Sequence, residues 1–295
     1  MTSLGENVKV HFAGAEQINF SMVAHEAGVN YFLYTVFPFI SQKVGIKGYP
    51  VTVKNIFPPR KLDQISKHAI MDSGLFSLMF GAHKGKRDEA FIRQWKENLV
   101  GFVKENNIRA TCVEIDCQKV LGVEAAWTFR RELKDDLPHN RIINVFHYED
   151  GRKGLERLIE FSEYIAISVP EIRIVHPKTY KEDVYALASF VKTRKPEIDI
   201  HLLGCTEGPM LRRCNFCTSA DSTSWLAANR YGNIDGYHPS QIKPELIEKA
   251  MPAVKRVLAA CDIEQTQKRL EYHANYFVSA QVHKRKYEVY CGNQE

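Results

Sequence analysis

The chain has 295 residues and a mass of 33.9 kDa, with 25% charged and 44% hydrophobic residues. Those are ordinary globular proportions, and they exclude a disordered or fibrous chain. Lys and Arg number 40 against 35 Asp and Glu, so the net charge of +5 permits an anionic partner without demanding one.

No stretch reaches the roughly 20 apolar residues of a membrane span. Met1–Asn7 is polar and lacks both a basic and an apolar leader region, so no signal peptide is expected. The 7 Cys are scattered, which argues against a disulfide framework and for a reducing cytoplasm.

In chain order, strands are expected at 8–13, 30–35, 69–73, 111–116, 141–147, 164–168, 199–204 and 217–222. Each is a short apolar or β-branched run, and most are separated by a helical period. The clearest helix is 88–107, where Phe91, Trp95, Leu99 and Phe102 recur every three to four residues and Asn106-Asn107 forms a stop. Residues 151–162 repeat the pattern with Leu155, Leu158, Ile159 and Phe161. Alternating strands and helices call for parallel pairing and right-handed crossovers, and eight strands close a TIM-type (β/α)8 barrel. An open doubly wound sheet is disfavoured, because no Gly-rich dinucleotide fingerprint follows an early strand.

The expected organisation is a catalytic barrel over 1–240, carrying a basic insertion at 36–68. A helical C-terminal extension over 241–295 packs on the barrel, with Leu246, Ala250, Val254 and Leu258 on one face. Its later basic and aromatic stretch, with Lys268, Arg269, Lys284, Arg285 and Lys286 among Tyr276, Tyr287 and Tyr290, is read as an amphipathic helix.

In such a barrel the functional groups sit at the C-terminal strand ends. Those positions are Asp72, Asp116, His147, Ser168, Gly204 and Asp221. One Asp after a strand is usually a helix cap or turn residue, but three in one barrel point to chemistry. Ser73-Gly74 permits a tight turn beside Asp72. Asp72 and Asp221 fall on strands 3 and 8, and a carboxylate pair suits attack and proton transfer at an anomeric carbon. Ser222 and Thr223 are candidate helix caps, and Trp225 is read first as a core residue.

These segments carry a resemblance. Met71-Asp72-Ser73-Gly74-Leu75-Phe76-Ser77 resembles the Asp-Ser-Gly-Gly-Phe/Tyr-Gln motif of the queuine and archaeosine transfer-RNA guanine transglycosylases. Val113-Glu114-Ile115-Asp116-Cys117 resembles their base-binding Asp segment, and His201-Leu202-Leu203-Gly204 their Leu-Met-Gly-Val-Gly strand. His147 falls where that family has a Gln, and Asp221 falls at its nucleophilic Asp. The order matches over about residues 65–230. The chain is shorter than those enzymes and lacks their Cys-x-Cys-x2-Cys zinc segment with a later His. Its Ser-Ala-Asp-Ser-Thr-Ser-Trp segment looks more like the bacteriophage DNA guanine transglycosylases, which exchange guanine in DNA for a 7-deazaguanine such as preQ0 or a derivative.

The resemblance implies Asp221 as nucleophile and Asp72 as general acid and base. It implies Asp116, His147, Ser73, Gly74, Phe76 and Gly204 around the base. Asp116 would accept from the purine N1–H and exocyclic amine, and His147 with the backbone near Ser168 to Pro170 would read the O6 side. The target guanine must lie in single-stranded DNA or be flipped out of the stack. A phage-encoded enzyme would act in the host cytoplasm.

The segment 36–68 carries Lys43, Lys47, Lys54, Arg60, Lys61 and Lys67 against Asp63 alone, a net of +5. It is read as a long loop. Lys43, Lys47, Lys54, Arg60 and Lys61, with Lys84, Lys86 and Arg87 after strand 3, are expected to hold the DNA backbone. Cys214-x2-Cys217 with Cys205 and His201 or His238 makes zinc conceivable, but one C-x2-C is a weak signal and no metal or cofactor is assigned. Other readings are a transfer-RNA guanine transglycosylase, a non-catalytic nucleic-acid-binding barrel, and an unrelated barrel hydrolase of a nucleoside or sugar.

Overall fold

The computed structural model describes residues 8–46, 57–75, 78, 88–205, 207–227 and 242–292. Its centre is a closed barrel of parallel strands in the order β1 to β8. The strands are β1 Lys9–Ala13, β2 Tyr31–Thr35, β3 His68–Asp72, β4 Thr111–Val113, β5 Ile142–Phe146, β6 Tyr164–Ser168, β7 Asp199–Leu203 and β8 Ser219–Ser222. The expected (β/α)8 class is therefore observed. β4 is shorter than the expected 111–116, because the chain leaves the ladder at Glu114.

The helices follow in the order a barrel requires. They are α1 Ile18–Glu26, α2 Phe37–Ile40, α3 Pro58–Ile65, α4 Glu89–Asn106, α5 Gln118–Leu121, α6 Val123–Asp136, α7 Gly151–Phe161, α8 Val169–Val175, α9 Tyr180–Arg194, α10 Gly208–Arg213, α11 Pro244–Ala260 and α12 Gln267–Tyr290. The chain divides into two compact units, one of Met1–Leu33, Thr52–His68 and Gly204–Glu295, the other of Tyr34–Val51 and Ala69–Leu203.

In the second unit α4 shows how local sequence sets the frame. Asp88 caps it by accepting from the Phe91 N–H at 2.8 Å, and Asn107 ends it in the left-handed region at φ 49°. The buried face is Ile92, Trp95, Leu99, Phe102 and Val103. Phe91, expected on that face, is half-buried instead, because the cap at Asp88 fixes a phase that turns Ile92 inward.

In the first unit β1 pairs β8, with His11 opposite Asp221. The indole of Trp225 donates to the Ala13 carbonyl at 2.8 Å, and Ser279 of α12 donates to the Trp225 carbonyl at 2.7 Å. Trp225 is thus a core residue. Tyr287 of α12 donates to Ser222 Oγ at 2.7 Å, and Tyr276 packs against Phe20 with ring centroids 4.2 Å apart. The basic C-terminal stretch is a helix that buries its tyrosines 276 and 287. In α11 Ala250, Val254 and Leu258 are buried, but Leu246 lies in the first turn and is exposed.

The segment 36–68 is not the open loop expected from sequence. Its described part contains α2, a 3-10 turn at Ser41–Val44, and α3. Pro58-Pro59 starts α3, where a missing N–H costs nothing, and Pro58, Pro59 and Leu62 face inward. Residues 47–56 lie outside the described residues, and with them Lys47 and Lys54.

Candidate active site

Asp72 is the last residue of β3. The Gly74 N–H donates to Asp72 Oδ1 at 2.7 Å, closing a tight turn in which Gly74 has φ +73°. A Cβ on Gly74 would lie 3.0 Å from both Phe37 Cβ and Thr35 Oγ1, so protein fills that side of the glycine. Ser73 is buried, and its carbonyl accepts from the Trp95 indole at 2.8 Å. The Val36 N–H donates to the Asp72 carbonyl at 2.9 Å, which ties the end of β3 to the end of β2. Phe76, Lys84, Lys86 and Arg87 lie outside the described residues.

Asp116 and His147 meet. His147 Nε2 donates to Asp116 Oδ1 at 2.8 Å, although the two come from different strand ends. His147 is 3% exposed, and its Nδ1 has no hydrogen-bond partner; the nearest carboxylate oxygen, Glu171 Oε2, is 3.8 Å away. Glu171 itself pairs with Lys119 at 2.7 Å. Burial works against a charged imidazole, but the Asp116 bond and the charges of Asp116, Glu171 and Glu114 outweigh it and raise the His147 pKa. The pair therefore offers a carboxylate acceptor beside an imidazole N–H donor, and the neighbouring carboxylates shift His147 toward its protonated form.

Glu114 lies behind this pair, fully buried. Arg130 of α6 grips it with two bonds, Nε to Oε2 at 2.5 Å and Nη2 to Oε1 at 2.9 Å. Burial pushes the Glu114 carboxyl up, opposed by the charge and bonds of Arg130. The Arg130 guanidinium is itself penalised by burial, yet Glu114 holds it above its ordinary value.

Asp221 lies within β8, 9% exposed, and accepts from the Gly204 N–H at 2.6 Å through Oδ1. Gly204 adopts φ +65°, which aims its N–H at the carboxylate. This explains a glycine at the end of β7: its amide is committed to Asp221. Ser222 caps the turn after β8 by accepting from the Ser224 N–H at 3.1 Å, whereas the Thr223 side chain makes no cap bond. Ser168 ends β6 and caps α8 by accepting from the Glu171 N–H at 3.3 Å.

Lys43 approaches Glu105 at 3.8 Å, and Arg60 and Lys61 stand in the first turn of α3. Cys205, Cys214 and Cys217 are buried free thiols. Burial pushes Cys205 up to about 12, whereas a hydrogen bond with Cys217 holds Cys214 below its ordinary value. Among the described residues these cysteines and His201 do not bring three ligand atoms within 4.8 Å of one another; Glu114, Asp116 and His147 do. Both Glu114 oxygens are occupied by Arg130, which already supplies the positive charge there, so the trio fits a hydrogen-bond network better than a cation site.

Sequence reasoning missed Glu114, Arg130 and Glu171. A charged residue two positions before a strand-end Asp, inside an apolar run, was the available signal for Glu114. No protein-family model matches the chain, and no curated protein is significantly similar to it.

Proposed function

We propose that this chain is a base-exchange enzyme that replaces guanine in DNA with a 7-deazaguanine, a pentosyltransferase. The observation that carries the reading is the Asp116–His147 bond at 2.8 Å. Asp116 Oδ2 has no hydrogen-bond partner among the described residues, and His147 Nδ1 is buried without one. An acceptor beside a proton-bearing imidazole complements the N1–H and O6 edge of a guanine-type base and opposes the reversed polarity of adenine.

In the proposed reaction Asp221 attacks C1′ of the deoxyguanosine as the C1′–N9 bond breaks. Asp72 donates a proton to the departing guanine. Asp72 then takes the N9 proton of the incoming 7-deazaguanine, whose nitrogen attacks C1′ and releases Asp221. Two displacements retain the configuration at C1′. Arg60, Lys61 and Lys43 contribute phosphate contacts. The absence of the transfer-RNA enzymes' zinc segment favours DNA over transfer RNA as the polymer.

The test is incorporation of labelled guanine into DNA and into transfer RNA, by wild type and by Asp72→Ala and Asp221→Ala. Incorporation into DNA is expected, with Asp221→Ala losing the covalent DNA adduct and activity by about 10⁴-fold or more. Incorporation into transfer RNA alone, or an adduct that survives Asp221→Ala, overturns the reading.

A further inference from the structure

The β4–β5 ladder pairs Cys112 with Ile142 and Val113 with Ile143, and the Glu114 N–H donates to the Ile143 carbonyl at 3.0 Å. In a regular parallel ladder the Val145 N–H would next seek the Glu114 carbonyl. Instead it donates to the Glu114 side chain, Oε1, at 3.0 Å. The Val145 carbonyl accepts from Arg130 Nη2 at 3.1 Å. Side chains thus replace the main-chain rung on both sides of Val145. Glu114 precedes Asp116 by two residues, and Val145 precedes His147 by two. Arg130 also lies over the Trp127 ring, 4.9 Å from its centroid, which restricts the guanidinium.

We propose that Glu114 and Arg130 are positioning residues: a buried clamp that sets the register of the β4 and β5 ends, so that Asp116 and His147 meet in the geometry that reads the base. The role in base reading rests on the function proposed above; the clamp rests on the geometry alone. A buried ion pair gains little stability over well-packed apolar residues, so its use here needs a reason such as fixed geometry. A displacement of about 1 Å at a reading pair is enough to cost one to two orders of magnitude.

Two substitutions test it. Arg130→Lys keeps the charge but cannot span both Glu114 and the Val145 carbonyl. Glu114→Gln sets an amide N–H₂ against the Val145 N–H or against Arg130, donor facing donor. Both are expected to raise KM for guanine by about tenfold or more while kcat stays within about threefold. His147 is also faced by Asp116 and Glu171, and Glu171 by Lys119. With those retained, removal of the Glu114 charge is expected to lower the pH at which the His147 imidazole titrates by NMR. Lys96→Met serves as control: it breaks another ion-pair cluster, in which a buried lysine meets the half-exposed Glu132 at 2.9 Å and Asp136 at 2.8 Å, and should lower stability without moving KM or the titration. Arg130→Lys, which preserves the buried charge, carries the test if Glu114→Gln does not fold. Folded variants with wild-type KM and an unmoved His147 titration overturn the clamp. Wild-type protein that exchanges no guanine overturns the function instead; the clamp is then decided by the His147 titration of Arg130→Lys, in which the Glu114 charge is kept and a shift reports a displaced Asp116–His147 bond.

Discussion

Two strand-end carboxylates in this barrel are held by different means. Asp221, in β8, is oriented by a backbone amide, the N–H of Gly204. Asp116, just past β4, is oriented by a side chain, His147, which neighbours the ionisable groups Glu114 and Glu171. A backbone donor carries no proton equilibrium and belongs to the fold. A side-chain network is adjustable by sequence and by pH, and it collapses when one buried member is removed. The first arrangement suits a group whose position must not vary. The second suits a group that must discriminate between ligands.

The largest expected effect separates the two arrangements by stability. Arg130→Met removes the cation paired with Glu114 and leaves its buried carboxylate with the Val145 N–H alone, which should cost about 3–5 kcal/mol. Asp221→Asn retains a carbonyl oxygen for the Gly204 N–H and should cost about 1 kcal/mol or less, even though it removes the proposed nucleophile. Urea unfolding midpoints of the two variants measure this directly. Equal losses would dissolve the distinction between backbone-held and network-held carboxylates.

The same contrast explains what the sequence revealed. Strand positions were legible because parallel barrel strands are short, wholly buried apolar runs, as in Tyr-Ile-Ala-Ile-Ser at 164–168. β4 was over-extended because Glu114-Ile115-Asp116 continues the alternation, while the pairing is broken by where the Glu114 side chain goes. Asp116 and His147 were legible from their place at strand ends. Arg130 was not, because an Arg in an amphipathic helix reads as a solvated charge, and its partner is 16 residues earlier. The 36–68 segment read as a loop because of its prolines, yet a Pro pair at the first helical turn starts α3.

A smaller effect tests how strongly the Asp72 turn depends on its glycine. Gly74→Ala meets both a left-handed φ of +73° and protein 3.0 Å away at Phe37 and Thr35. It should destabilise by about 1–3 kcal/mol. Gly45 has nearly the same φ, +74°, with nothing within 4 Å of an added Cβ. Gly45→Ala should therefore lose only the backbone part, about 1 kcal/mol. The difference between the two thermal midpoints isolates the packing that locks the β2 and β3 ends around Asp72. No difference would mean that Phe37 and Thr35 yield freely, and that the hydrogen bonds of Asp72 and Ser73 hold the turn.

The smallest expected effect is the pH dependence of the Asp116–His147 pair. The folded state raises the His147 pKa above the ordinary imidazole value near 6.5, despite burial, because Asp116, Glu171 and Glu114 favour the cation. A group whose pKa is raised on folding binds its proton more tightly in the native state. Its contribution is complete below the unfolded value and disappears as pH rises through the folded one. Stability from this group should thus decline on the alkaline side of the ordinary imidazole range. Asp116→Asn removes the acceptor charge and should flatten that slope, whereas Asp221→Asn, in a carboxylate held by a backbone amide, should leave it intact. Urea midpoints of wild type and the two variants between about pH 6 and pH 9 make the comparison. A slope that survives Asp116→Asn unchanged would assign the titration to another group and remove His147 from the proposed base-reading pair.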